Sequence, residues 1–219
     1  RIDGLILIDV PAADRALQRL AQDNFPIVTL GYNHPSLCSV DVDNVTGARL
    51  AVEHLLAQGH TRIGCITNSP ATADPNLRLV GYQEALLQAG LALDERLLVE
   101  GFYNPESGFA AMQQLLARPH RPTALFVASD VVAFGAMAAI QAHGLVVPQD
   151  IAVVGFDDVP LARYTNPPLT TVRMPTMTMG RRAGELLYDQ ILGRAVEPSV
   201  LLATELIVRA SSVRKPVVS

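Results

Sequence analysis

The stretch that most constrains this chain is IAVVGFDDVPLARYTNPPLTTV, residues 151–172. From Ile151 through Phe156 the residues are apolar without alternation, the pattern of a strand buried on both faces. Gly155 inside that run lets the backbone pass close to a neighbour. The run stops at two carboxylates, Asp157 and Asp158. In an open α/β sheet the carboxyl ends of the strands form the crevice where ligands bind. Acidic residues there are either ligand groups or the solvated start of a loop that turns through Pro160.

The rest of the chain repeats the same grammar. Apolar runs at residues 5–8, 27–30, 62–67, 97–101, 123–128 and 202–208 alternate with segments of helical spacing. Those segments cover 12–22, the stripe Val45, Ala48, Val52 and Leu55, then Leu77 onward with Val80, Leu86 and Leu87, 106–117, 130–143 and 177–192. Gly59, Gly90, Gly144 and Gly193 stand at the ends of four of them, where a left-handed residue closes a helix. Asp43 or Asn44 is placed to cap the second helix, and Asp130 to cap the alanine-rich one. Such alternation predicts parallel sheets with right-handed crossovers, flanked by helices. The 49% of hydrophobic against 17% of charged residues fits sheets covered on both faces.

Charge and composition exclude several functions. A net charge of −4 and a pI near 5.7 argue against this segment gripping nucleic acid by itself, since phosphate contacts need a basic footprint. Cys38 and Cys65 lie far apart and read as reduced apolar residues of a cytoplasmic protein. His34, His54, His60, His120 and His143 show no metal spacing, so neither a metal nor another cofactor is expected. No Ser/His/Asp or Cys/His arrangement, dinucleotide fingerprint or phosphate loop appears, which argues against an enzyme. A proton-transfer role for Asp157 and Asp158 has no companion group that would name a reaction. No signal peptide is expected, and no apolar run is long enough to span a membrane. The chain opens at Arg1 without a methionine, and a preceding segment is expected.

GFDD, then Tyr164, then PPLTTV resembles the effector-binding domain of the lactose-repressor (LacI/GalR) family of bacterial transcription regulators. Further motifs fall in that family's order: Asp3 to Leu7 (DGLIL), Val42 to Asn44, Gly59-His60, Arg78 with Gly81-Tyr82, Pro122 to Ala124 with Asp130, Pro148 to Ile151, and Leu206 to Arg209. The segment NPESGFAAMQQLLARPHRPT, residues 104–123, is similar to the purine-repressor branch. The resemblance implies a two-lobed, periplasmic-binding-protein-like (type I) α/β fold. Residues 1–42 and 173–202 would make an incomplete N-terminal lobe, and residues 43–172 and 203–219 the C-terminal lobe. Two βα units and a helix-turn-helix with its hinge helix would precede this chain in the family.

The same resemblance implies a cytoplasmic regulator, a repressor, that answers a small-molecule effector, reads operator DNA through a helix-turn-helix outside these residues and works as a homodimer. The dimer contact would use the helix at 131–143 and the loop at 161–164, with Ala133, Ala136, Ala138 and Ala139 allowing close approach or else packing within the lobe. Arg78, Asp157, Tyr103 and Asp43 are expected to converge at the carboxyl side of the second lobe, with Ser129 as a further contact. Carboxylates, a guanidinium fork and an aromatic face suit a sugar or sugar-like polyol. Without the family, Arg78 reads as a surface ion pair, Asp43 as a helix cap and Tyr103 as edge packing. Gly31 and Ser129 stand where many sugar-responsive members carry Asp and Asn. No arginine occurs in residues 72–76, which argues against a purine. The alternative from another class is a periplasmic sugar-binding protein of a transporter.

Overall fold

The computed structural model describes residues 2–8, 15–31, 33, 36–68 and 76–213. In chain order these form β1 (Leu5–Ile8), α1 (Arg15–Gln22), β2 (Ile27–Leu30), β3 (Cys38–Val42), α2 (Asn44–Ala57), β4 (Ile63–Asn68) and α3 (Leu77–Gln88). Then come β5 (Leu98–Gly101), α4 (Pro105–Leu116), β6 (Ala124–Val127), α5 (Asp130–Ala142) and β7 (Ala152–Asp157). The described chain ends with β8 (Thr170–Arg173), α6 (Thr176–Ile191), β9 (Ser199–Leu202) and β10 (Glu205–Ile207). His34 and most of the polar loop expected between β4 and α3 lie outside the described residues.

Two compact units divide the chain, and the described residues show it passing between them after Asp43, after Met174 and after Ala203. The first holds the described residues up to Asp43 together with Pro175–Ala203. Its sheet has the order β1-β2-β3-β9, parallel throughout. The Gln190 side chain pins α6 to that sheet, accepting from the Ile27 N–H at 2.9 Å and donating to the Ile27 carbonyl at 3.3 Å.

The second unit holds residues 44–68, Asn76–Met174 and 204–213. Its sheet runs β10-β8-β7-β6-β4-β5, parallel except for β10, which pairs antiparallel with β8. Strand alternation sends Cys65, Phe126, Val154 and Phe156 to the face covered by α2 and α3. Ile66, Leu125, Val127 and Val153 go to the face covered by α4 and α5. Every residue of β7 from Ala152 to Phe156 is buried, as the unbroken apolar run predicts.

Small residues set the helix spacing. A Cβ on Gly81 of α3 would stand 2.2 Å from the Val45 carbonyl oxygen of α2. On Gly135 of α5 it would meet the Pro105 carbonyl of α4 at 1.8 Å. Ala133, Ala136 and Ala139 are fully buried in the same contact layer, so the alanine stripe serves packing inside the unit, whereas Ala138 is exposed. Leu87, expected on the apolar stripe of α3, is 76% exposed; Tyr82 and Ala85 fill the core there instead. Gly59 and Gly144 close α2 and α5 at φ +86 and +71, as their positions predict.

The single strand expected over residues 202–208 does not form. The apolar run at 202–208 is two strands: β9 pairs with β3 in the first unit, and β10 pairs with β8 in the second. The third passage falls between Ala203 and Thr204. Local hydrophobicity carries no trace of a change of partner sheet.

The end of the described chain closes the second unit. Ser211 Oγ accepts from the Thr170 N–H at 2.7 Å and donates to the Val153 carbonyl at 2.6 Å. Ser212 Oγ lies 2.7 Å from Thr170 Oγ1 and 2.8 Å from His54 Nε2. Ser211→Ala leaves a buried N–H without its acceptor, a cost of about 1–3 kcal/mol. Urea unfolding of the variant is expected to show a lowered midpoint by that margin; an unchanged midpoint would remove Ser211 from the account of the clasp.

Candidate functional site

Because β7 is apolar on both faces, its polar chemistry begins where the strand ends. Asp157 closes β7 with φ +118, and Asp158 follows with φ +55. Both values lie where L-residues are strained, and such outliers cluster at functional sites. The turn sends the two carboxylates to different neighbours.

Asp157 faces Arg78, whose Nη1 approaches its Oδ1 at 3.2 Å. The Ser129 hydroxyl and the Asp130 backbone N–H also donate to Asp157. Burial pushes the Asp157 carboxyl above its ordinary pKa, and the Arg78 charge with these hydrogen bonds only partly offsets that. Ser129 stands at the N-cap position of α5 but makes no side-chain cap bond. The Asp130 N–H in the first turn of α5 meets Asp157, at the helix end where negative charge is favoured.

Arg78 sits in the first turn of α3, which Asn76 caps by accepting from the Leu79 N–H at 3.2 Å. Its Nε donates to Asn44 Oδ1 at 2.9 Å, its Nη1 also reaches the Ala128 carbonyl, and its Nη2 points at Met174 Sδ at 3.5 Å. The guanidinium carbon lies 3.8 Å over the centre of the Phe156 ring. Stacked on an aromatic and held by a carboxylate, a carbonyl and an amide, the side chain is 15% exposed and fixed in direction.

Asp158 is a structural group. Its carboxylate, 3% exposed, takes Arg209 Nη2 at 2.6 Å and Arg173 Nε at 2.7 Å. Burial alone would raise its pKa, but the hydrogen bonds and charges of both arginines outweigh that and lower it. A group held ionised in this way cannot share a proton with Asp157. Asp130 corrects another expectation. It is the first residue of α5, and its carboxylate caps nothing: Oδ1 accepts from Thr171 Oγ1 at 2.5 Å and Oδ2 from the Val159 N–H at 2.9 Å. A Cβ on Gly155 would stand 2.3 Å from Asp130 Oδ1, so the neighbour that Gly155 admits is this carboxylate. Burial first, and then the nearby Asp157 and Asp158, push Asp130 up to about 7 against its hydrogen bonds.

Of the five expected site residues the structure brings three together: Arg78, Asp157 and Ser129. Tyr103 follows β5 with φ +53, half exposed, at the same end of the sheet. Three strand spacings, about 14 Å, separate β5 from β7. Asp43 belongs to the first unit, where its N–H bonds the Leu202 carbonyl at 2.9 Å. Asn44, Phe156, Met174 and the Ala128 carbonyl escaped the sequence reading. Phe156 was legible as core, and only its place one residue before a carboxylate hinted at a second role. Among the described residues no group of acidic, histidine or cysteine side chains has metal-holding geometry, and no helix is long and apolar enough to cross a membrane.

Comparison with known proteins agrees with this architecture. Residues 52–212 match the family model of the periplasmic binding protein-like domain. The HTH-type transcriptional regulator CelR of Thermobifida fusca is 40% identical over 215 residues, which cover 96% of this chain and 63% of that protein. The chain therefore spans under two thirds of that relative's length. The solved complex of the regulator CelR with cellobiose superposes with a TM-score of 0.91 at 39% identity, covering 96% of this chain and 66% of that one. A regulatory protein of the LacI family from Chloroflexus aggregans gives 0.89 at 38% identity, covering 96% and 77%.

The buried Asp130 sets a pH response. Its folded pKa of about 7 lies above the ordinary 3.8, so the folded chain takes up a proton that the unfolded chain refuses over that interval. Stability from this group is complete below 3.8 and is lost as the pH rises through about 7. From pH 8 to pH 6 the gain is about 1 kcal/mol. His54 works the other way: burial lowers its pKa from 6.5, so its contribution is lost as the pH falls below that value. Denaturation of Asp130→Asn against the parent at both pH values isolates the first effect, and the parent is expected to gain more on acidification. Equal gains would place the Asp130 titration outside this interval.

Proposed function

The chain belongs to the LacI family of periplasmic binding protein-like domains, and we propose that it is the effector-binding part of a transcription regulator that answers a neutral sugar or sugar-like polyol. The observation that carries this reading is the Arg78–Asp157 pair with the Ser129 hydroxyl at the carboxyl end of a twice-covered sheet. A charged donor fork and a carboxylate acceptor side by side match neighbouring hydroxyls, which donate and accept in turn. The family relatives are regulators, and one of them was solved with cellobiose. That favours a regulator over an enzyme or a transport protein, and makes cellobiose the first sugar to test. In this reading the whole protein is cytoplasmic and reads operator DNA through a helix-turn-helix outside this chain, with repression relieved or imposed by the effector.

Hydrogen bonds to charged groups are worth about 1.5–3 kcal/mol, so removing one weakens binding by roughly 10- to 100-fold. Calorimetric titration of the full protein with cellobiose and a panel of sugars, purines and peptides tests this. Asp157→Asn keeps the volume and loses the charge, and a loss in that range is expected. Arg78→Ala is expected to cost more, because it leaves Asp157 without its counter-charge. A ligand that binds both variants as tightly as the parent would place the site elsewhere, and a purine or peptide winning the panel would defeat the sugar reading.

We also propose a homodimer, since two half-sites of an operator need two readers at fixed spacing. Leu161 and Tyr164, exposed at 56% and 75%, support a contact on the loop after β7. Sedimentation of the full protein at micromolar concentration is expected to show a dimer, weakened by Tyr164→Glu; a monomer throughout would overturn this.

A further inference from the structure

Arg78 reaches beyond its carboxylate. Asn44, which accepts from Nε, is the first residue after the chain passes into the second unit. Met174, which faces Nη2, is the last residue before the chain passes out again. The third passage ends at Thr204. A Cβ on Gly47 would stand 2.8 Å from Thr204 Oγ1 and 3.0 Å from the Phe156 ring, the same ring on which Arg78 stacks. One guanidinium thus touches the residues at the first and second of these passages, and Gly47 lies between the third and the ring beneath that guanidinium.

The donors are nearly spent. A guanidinium has five N–H groups. Nε gives one to Asn44, Nη1 serves the Ala128 carbonyl and Asp157, and Nη2 gives one to a thioether, a weak acceptor. A ligand that takes more than the one remaining Nη2 hydrogen from Arg78 therefore competes with residues at the passages. Asp157, Asn44 and Met174 share this one guanidinium, and the charged bond to Asp157 is the one that sets its position, so losing it shifts the group at both passages.

We propose that Arg78 is a positioning residue that links the ligand site to the first and second chain passages, so that events at Asp157 are felt at Asn44 and Met174. The link rests on the reading of Arg78 and Asp157 as ligand groups, but its test needs no ligand.

Amide hydrogen exchange of the full protein reads the two passages through peptides covering residues 42–47 and 172–176. Arg78→Lys keeps the charge and loses the fork, and is expected to speed exchange in both peptides by about 10-fold, the lower end of what a hydrogen bond to a charged group is worth. Met174→Leu is expected to affect only the second peptide, and Asn44→Ala only the first. Asp157→Asn touches neither passage side chain, yet it is expected to speed both peptides in the parent and to add nothing in the Arg78→Lys background, the non-additivity of a shared group. Arg96→Lys, on an exposed side chain, is the control. Unchanged peptides in Arg78→Lys, a uniform rise across the protein, or an Asp157→Asn effect that persists in the Arg78→Lys background would each overturn the link. Failure of every sugar to bind the parent would defeat the sugar reading and leave these outcomes decisive for the link.

Discussion

A strand buried on both faces can carry polar chemistry only at its end, and the second unit is built on that constraint. Ala152 to Phe156 offer nothing but packing, so the polar groups of β7 are concentrated in Asp157 and Asp158. Consecutive residues of regular strand would diverge by alternation alone. Here positive φ at both positions turns the chain sharply, so one carboxylate meets Arg78 and the other meets Arg173 and Arg209. Each such residue costs about 1–3 kcal/mol of backbone strain, which the surroundings must offset. The ion pairs and the grip of Asp130 on the Val159 N–H supply that.

What the sequence shows well is whatever depends on neighbours along the chain. The apolar run of β7, the glycine stops at Gly59 and Gly144, and the small residues between helices all follow from local geometry. The site was legible where a residue type had few uses at its position: Arg78 at the start of a helix and Asp157 at the end of a buried strand. What escaped depends on partners distant in sequence. The split of 202–208 into β9 and β10 is set by which sheet each half joins. Asp130 looks like a helix cap from its place before an alanine-rich run, yet Thr171, distant in sequence, claims its carboxylate. Tyr103 shares an end of the sheet with Asp157, but strand order and not sequence spacing sets their separation.

Asp130 and Gly155 show how tightly the site and the core are joined. The glycine exists because a carboxylate occupies the space of its side chain, and the carboxylate holds both the loop after β7 and the strand after that. Burial without an arginine partner raises the Asp130 pKa to about 7, while Asp158, less deeply enclosed, stays charged because two arginines face it. Environment, not residue type, divides the roles of three neighbouring aspartates.

The same charge balance bears on the ligand. Arg78 is already matched by Asp157, and Arg173 and Arg209 by Asp158 with Glu205 beside them. An anionic ligand at Arg78 would have to displace Asp157 or lie against it, and a cationic one would face the guanidinium. Either leaves a desolvated charge without compensation, which costs several kcal/mol. A polyhydroxyl compound adds no net charge, and one hydroxyl can donate to Asp157 while another accepts the remaining Nη2 hydrogen. The electrostatics of the pair, independent of any relative, therefore favour the neutral polyol in the proposed function.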